Sequence, residues 1–240
     1  MRIGGVADGL GYDDIWSWDH LVPIKGDESG PIFEGMMTLA GWATATRRAR
    51  LGLMVAANTF RSPTLLVKMV TALDHMTAGR AVLGLGAAWS EPEHRAFGFE
   101  FGSGAGERLD WLDEAAALVR GLLDGDVVSA RGPHYTASDV ANRPAPVQAR
   151  LPLLIGGGGE RKTLATVARY ADIWNIGNDI ADARRKVAAL EDWCERVGRD
   201  PRAIERTLGV GPLVIRDGQR EGRRVAAAYR ESNRGWDEPL

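Results

Sequence analysis

Three short stretches of this chain set reactive side chains after apolar runs and before helical patterns. They are Asp19-His20, Asn58-Thr59-Phe60-Arg61 and Gly156-Gly157-Gly158-Gly159-Glu160. An imidazole next to a carboxylate can exchange a proton near neutral pH. An amide and a hydroxyl can read the polar edge of a heterocycle. A glycine turn that opens a helix offers backbone N–H groups to an anion. Such groups at the ends of successive strands suggest chemistry at one rim of a parallel barrel.

Each stretch has a plainer reading. Asp19 can cap a turn, Asn58 can turn the chain, and Ser62 before Pro63 reads as a helix cap. Gly84-Leu85-Gly86-Ala87-Ala88-Trp89 is only superficially a dinucleotide fingerprint, because Trp89 replaces the third glycine and no acid follows about 20 residues on. Small residues there would let a flat ring approach the backbone, with Trp89 either its wall or part of the core. Four consecutive glycines lose much chain entropy on ordering, which favours anion binding over a flexible turn. Arg161 and Lys162 add charge at that turn and Thr163 adds a hydroxyl. Asn175 either touches the ligand or turns the chain. His75 falls in a helical pattern, and His94 and His134 fall in loops. No histidine pair has metal-ligand spacing, so no metal is expected.

These groups need elements to hold them. Strands are expected over 15–18, 51–57, 81–86, 153–155, 172–176 and 207–215. Helices are expected over 33–46, from Pro63 onward, and over 107–123, 162–170 and 182–197. The run from Leu51 to Ala57 suits one strand buried on both faces. Val127 to Tyr135 suggests a small hairpin, and the proline-rich 142–152 an extended connection. Gly198-Arg199-Asp200-Pro201 stops a helix with glycine and then proline. The arginine-bearing tail from Asp217 reads as a solvated helix. Alternating strands and helices argue for a parallel sheet with right-handed crossovers. We read one domain, 1–240, with an excursion near 127–150. The strand candidates fall short of the eight in a closed barrel.

The 240 residues carry a net charge of -2 and are 45% hydrophobic, enough for a sizeable core and without a basic footprint for nucleic acid. One cysteine, Cys194, excludes an internal disulfide framework and fits a reducing cytoplasm. No apolar run is long enough to span a bilayer, and the first ten residues lack the apolar stretch of a signal peptide. The eight tryptophans read as core fillers or as walls of a ring-binding cavity. The expected partner is a small molecule, neither nucleic acid nor membrane, and a homo-oligomer stays open.

In order and spacing, these motifs resemble the luciferase-like monooxygenase superfamily, in particular its branch dependent on the deazaflavin coenzyme F420. The matching run begins with Gly11-Tyr12-Asp13-Asp14-Ile15-Trp16, Asp19-His20, Leu51-Gly52 and Asn58-Thr59-Phe60-Arg61. It continues with Leu73-Asp74-His75-Met76, Gly79-Arg80, Leu83 to Trp89 and Glu107-Arg108-Leu109. It closes with Arg143-Pro144-Ala145-Pro146-Val147-Gln148, Ile155 to Glu160 and Arg169 to Asn175.

The resemblance implies a (β/α)8 barrel of the TIM type with the cofactor at the C-terminal rim. It implies hydride transfer between F420 and an unidentified organic substrate, with His20 handling the proton and Asp19 beside it. Val55 and Ala56 would back the ring, on a strand that in this family often carries a non-proline cis peptide. Further cofactor contacts are implied for Asn58, Gly86, Trp89, Gly156, Gly157, Gly158, Gly159, Glu160, Lys162, Thr163 and Asn175. Trp89 stands where some members carry a glutamate, which argues against sugar-phosphate dehydrogenation. Only ten residues precede Gly11-Tyr12, so the chain reads as a barrel lacking its first and last strands. Two rival functions follow: an FMN-dependent monooxygenase of the same fold, and a binding-only remnant. A third is an unrelated phosphate-binding α/β protein, in which His20 lies far from the glycine turn.

Overall fold

The computed structural model describes residues 2–24, 27, 29–177, 179–209 and 216–232. The chain opens with α1 (Arg2–Leu10), β1 (Asp14–Ser17) and α2 (Gly35–Ala45). Next come β2 (Arg50–Leu53), β3 (Ala56–Ala57), α3 (Pro63–Met76), β4 (Ala81–Gly86) and α4 (Glu91–Phe97). The long α5 (Ala105–Asp124) leads into a hairpin of β5 (Val127–Arg131) and β6 (Thr136–Ala141). Then follow β7 (Leu153–Gly156), α6 (Thr163–Tyr170), β8 (Ile173–Ile176), α7 (Ile180–Val197), β9 (Glu205–Leu208) and α8 (Gln219–Ser232).

The main sheet runs β1-β2-β4-β7-β8-β9, with β3 also paired to β4, and its pairings are parallel. It is curled. Arg50, at the start of β2, donates to Asp14 on β1 at 2.9 Å and also to Glu205 on β9 at 3.4 Å. Three strands separate β2 from β9 along the sheet, so only a barrel-like wall brings those side chains together. Among the described residues no strand fills the gap between β1 and β9. The architecture is a parallel β/α barrel wall, open on one side.

Both faces of the wall are covered, so its strands read as continuous apolar runs. Leu83, Leu85, Leu153, Ile155 and Trp174 belong to the large core that includes buried residues of α2, α3, α5, α6 and α7. Their neighbours Val82, Leu154 and Ile173 form a smaller cluster with Trp16, Met54 and Val55. The two-residue period of the strand sorts these sets onto opposite faces.

Most elements fall where periodicity puts them. The apolar run 51–57 is not one strand: it breaks between β2 and β3, where the Met54–Val55 peptide is cis. The last strand starts at Glu205 rather than Thr207, and 210–215 lie outside the described residues. Two helices were not anticipated. In α4, Pro92 follows Ser90-Glu91 and Gly98 closes the helix in the left-handed region at φ 72, a start and stop legible in the sequence. In α1, glycines mask the pattern. Gly4 packs so tightly that a Cβ would lie 2.8 Å from the Trp42 ring.

Asp8 fastens α1 to the loop after α2. Its carboxylate accepts backbone N–H groups of Arg47, Arg48 and Ala49 at 2.7 to 3.0 Å. The bonds from Ala49 and Arg47 lead the causes that hold it down at about 2. A depressed acid stabilises the fold above its unfolded pKa and stops doing so as the pH falls through the folded one. Asp8→Asn is therefore expected to melt below wild type at neutral pH. That difference should shrink as the pH drops toward about 2; a constant offset would reject the assignment.

Candidate active site

The C-terminal ends of β1, β4, β7 and β8, with the segment around β3, converge on a cavity of about 360 Å³. Ten expected site residues line it: Asp19, His20, Val55, Ala56, Gly86, Trp89, Gly156, Gly157, Thr163 and Asn175. Asn58, Gly158, Gly159, Glu160 and Lys162 are not on its wall.

Asp19 and His20 do not pair with each other, contrary to the reading from their adjacency. Successive residues leave a strand end in opposite directions. The Asp19 carboxylate accepts the Arg61 guanidinium at 2.8 Å and the Ala57 N–H at 2.9 Å. Burial pushes its carboxyl up, while Arg61 and the Ala57 N–H pull against that rise. Arg61 also holds Glu34, the cap of α2. This cluster ties the ends of β1, β3 and α2 together.

His20 turns instead to Glu93 on α4, with Nδ1 2.9 Å from Oε2. Indoles flank its ring: Trp89 edge-on at 5.3 Å and Trp18 at 6.3 Å. Trp89 is thus a half-exposed wall rather than a core residue. His94, expected in a loop, is a buried member of α4 on the cavity wall. Its Nδ1 lies 2.6 Å from the Ser90 carbonyl and its Nε2 2.7 Å from the Thr59 hydroxyl.

The glycines of β4 make room for the chain itself. A Cβ on Gly86 would lie 2.5 Å from Val55 Cγ2, and one on Gly84 would overlap the Leu53 carbonyl. On β7, a Cβ on Gly156 would lie 2.9 Å from Val55 Cγ1. The expected close approach is therefore made first by the 53–55 segment, whose Val55 forms part of the cavity wall.

Across the cavity, Gly157 has φ +127, a backbone state that disfavours a side chain, and its Cβ would meet Thr163 at 3.2 Å. Its N–H goes to the Asn175 carbonyl and its own carbonyl accepts Trp174 Nε1 at 2.8 Å. Asn175 Nδ2 bonds the Thr207 hydroxyl. Lys162 reaches Asp110 on α5 at 2.7 Å, and Glu160 pairs with Arg185 on α7. These two, with Gly159, line a neighbouring hollow of about 760 Å³ that also includes Arg161, Trp193 and Arg196. Asn58 is 1% exposed, with Nδ2 toward the Arg108 carbonyl at 3.5 Å and Oδ1 unbonded. The hairpin is anchored there, because the Tyr135 hydroxyl donates to the Asn58 carbonyl at 2.5 Å.

Spacing could not reveal Glu93: its contact with His20 spans 73 residues. Only the start signal of α4 hinted at an element in that place. Among the described residues no group of three His, Cys, Asp or Glu side chains could hold a metal ion. No described helix is long and apolar enough to cross a membrane.

A family model described as luciferase-like monooxygenase matches residues 1–239. An uncharacterized protein of Mycobacterium tuberculosis is 30% identical over 210 residues, 81% of this chain and 73% of that protein. The F420-dependent hydroxymycolic acid dehydrogenase of the same organism is 28% identical over 235 residues, 97% of this chain and 63% of that enzyme. A solved F420-dependent secondary alcohol dehydrogenase, in complex with an F420-acetone adduct, superposes with a TM-score of 0.77 at 21% identity. That superposition covers 86% of this chain and 62% of the solved one.

Proposed function

The chain belongs to the luciferase-like monooxygenase family, and we propose that it is an F420-dependent oxidoreductase that moves hydride to or from an unidentified organic substrate. One observation carries the reading: the His20 imidazole and the Gly156-Gly157 turn line the same cavity. The F420-dependent relatives support the choice of cofactor.

The residues fit a flat, phosphorylated cofactor. The side-chain-free turn at Gly157 beside the Thr163 hydroxyl suits an anion at the start of α6. Val55, Ala56, Gly86 and Asn175 would bound the ring. When bound, the deazaflavin supplies two-electron hydride chemistry at its C5 carbon. The chain supplies the rest. Trp89 and Phe60 give the cavity an aromatic wall against which an apolar part of the substrate would pack. His20 holds the proton that a substrate hydroxyl loses on oxidation and a carbonyl oxygen regains on reduction.

Titration of the purified protein with F420 and, separately, with FMN tests this reading. Saturable F420 binding with substrate-dependent bleaching or recovery of its absorbance is expected. Preference for FMN with oxygen consumption would reassign it as a monooxygenase, and binding without turnover as a binding-only protein. Gly157→Val is expected to weaken cofactor binding at least about tenfold, or about 1.4 kcal/mol. An unaltered dissociation constant would reject the anion-binding role of the turn.

A further inference from the structure

His20 can exchange a proton with a ligand only through the nitrogen that faces the cavity, and the partner of the other nitrogen decides which one is free. Nδ1 lies 2.9 Å from Glu93 Oε2. Glu93 is 1% exposed, and its second oxygen accepts the backbone N–H groups of Leu21 and Val22. An ionised carboxylate is acceptor-only on both oxygens. Nδ1 must then carry the proton, which leaves Nε2 without one on a ring that lines the cavity. His94 is the contrast, because both of its nitrogens are committed within the protein.

We infer that Glu93 is the positioning residue of this site: it holds the His20 ring in the Nδ1–H form, so that Nε2 takes and returns the substrate proton. Its functional half rests on the F420-dependent reading above; its geometric half does not. The contact also joins the loop after β1 to α4, so the ring is set by tertiary packing and not by the adjacent Asp19.

Glu93→Gln is the discriminating variant. Glutamine offers one oxygen and one NH₂ group. The Leu21 and Val22 N–H groups keep the oxygen on their side, which turns the NH₂ toward Nδ1. Nδ1 must then accept, and the ring proton moves to Nε2. Ring ¹⁵N shifts of His20, recorded on the ligand-free protein with the ring neutral, read this directly. Nδ1–H is expected in wild type and Nε2–H in the variant. In F420 assays the variant is expected to lose about 10²-fold or more in kcat with little change in cofactor affinity.

A wild-type ring protonated on Nε2, or the same tautomer in both proteins, overturns the inference. Should the variant fail to fold, the wild-type spectrum alone decides. A tautomer swap in a protein that never turns over F420 would uphold the placement by Glu93 and sink the hydride-transfer reading instead.

Discussion

His20→Ala is expected to lower F420-linked turnover by about 10² to 10⁴-fold, the usual worth of a positioned acid-base group. Its cofactor dissociation constant should barely move, because the turn at Gly157 and Thr163 is on other elements, β7 and α6. The ring is 18% exposed and held between two indoles, so it is both accessible and fixed. Its removal leaves Glu93 still bonded to two backbone N–H groups, which limits the structural damage. Steady-state kinetics beside a cofactor titration separate the outcomes. Unchanged turnover would reject the proton role. An equal loss of affinity and turnover would point to lost packing.

Arg61→Ala is expected to destabilise the fold by about 3–5 kcal/mol, as removing one partner of a buried pair does. Asp19 is 3% exposed and Arg61 11%, so neither has water to fall back on. One Asp19 oxygen already lacks a hydrogen-bond partner. Burial raises this carboxyl in the intact protein, and the variant removes the guanidinium that opposes the rise. The folded variant would therefore bind a proton that the unfolded chain releases. Its deficit is smallest below the unfolded carboxylate pKa and grows as the pH rises through the folded value. Urea titrations at several pH values check this. Asp19→Asn in the Arg61→Ala background should recover part of the loss, and no recovery would show that Arg61 acts through Glu34 instead.

Much of this was legible residue by residue. The strand 81–86 and the helix opening at Pro63 have the expected bounds, because a continuous apolar run and a Ser-Pro start are local signals. The glycine turn after β7 was equally visible. Some residues of the matching motifs also build the frame. Asp74 is buried and accepts the Val147 and Gln148 backbone N–H groups together with the Gln148 side chain. That fastens α3 to the proline-rich connection, far along the chain. Lys162 and Glu160 stood in the right motif, yet their charges pair with Asp110 and Arg185 on neighbouring helices.

Most strands and helices in their order, the apolar faces and the reactive side chains at the strand ends were determined by the sequence alone. Their physical basis is local: side-chain period, capping and backbone freedom act over a few residues. Partner choice came only with the tertiary structure. The curl of the sheet and the path of α4 decide that His20 meets Glu93 and that Asp19 meets Arg61. Such pairings join residues 73 and 42 positions apart, and no periodic signal reaches across that distance. Packing geometry sets them, since a buried carboxylate must accept from whichever donors the fold brings within reach.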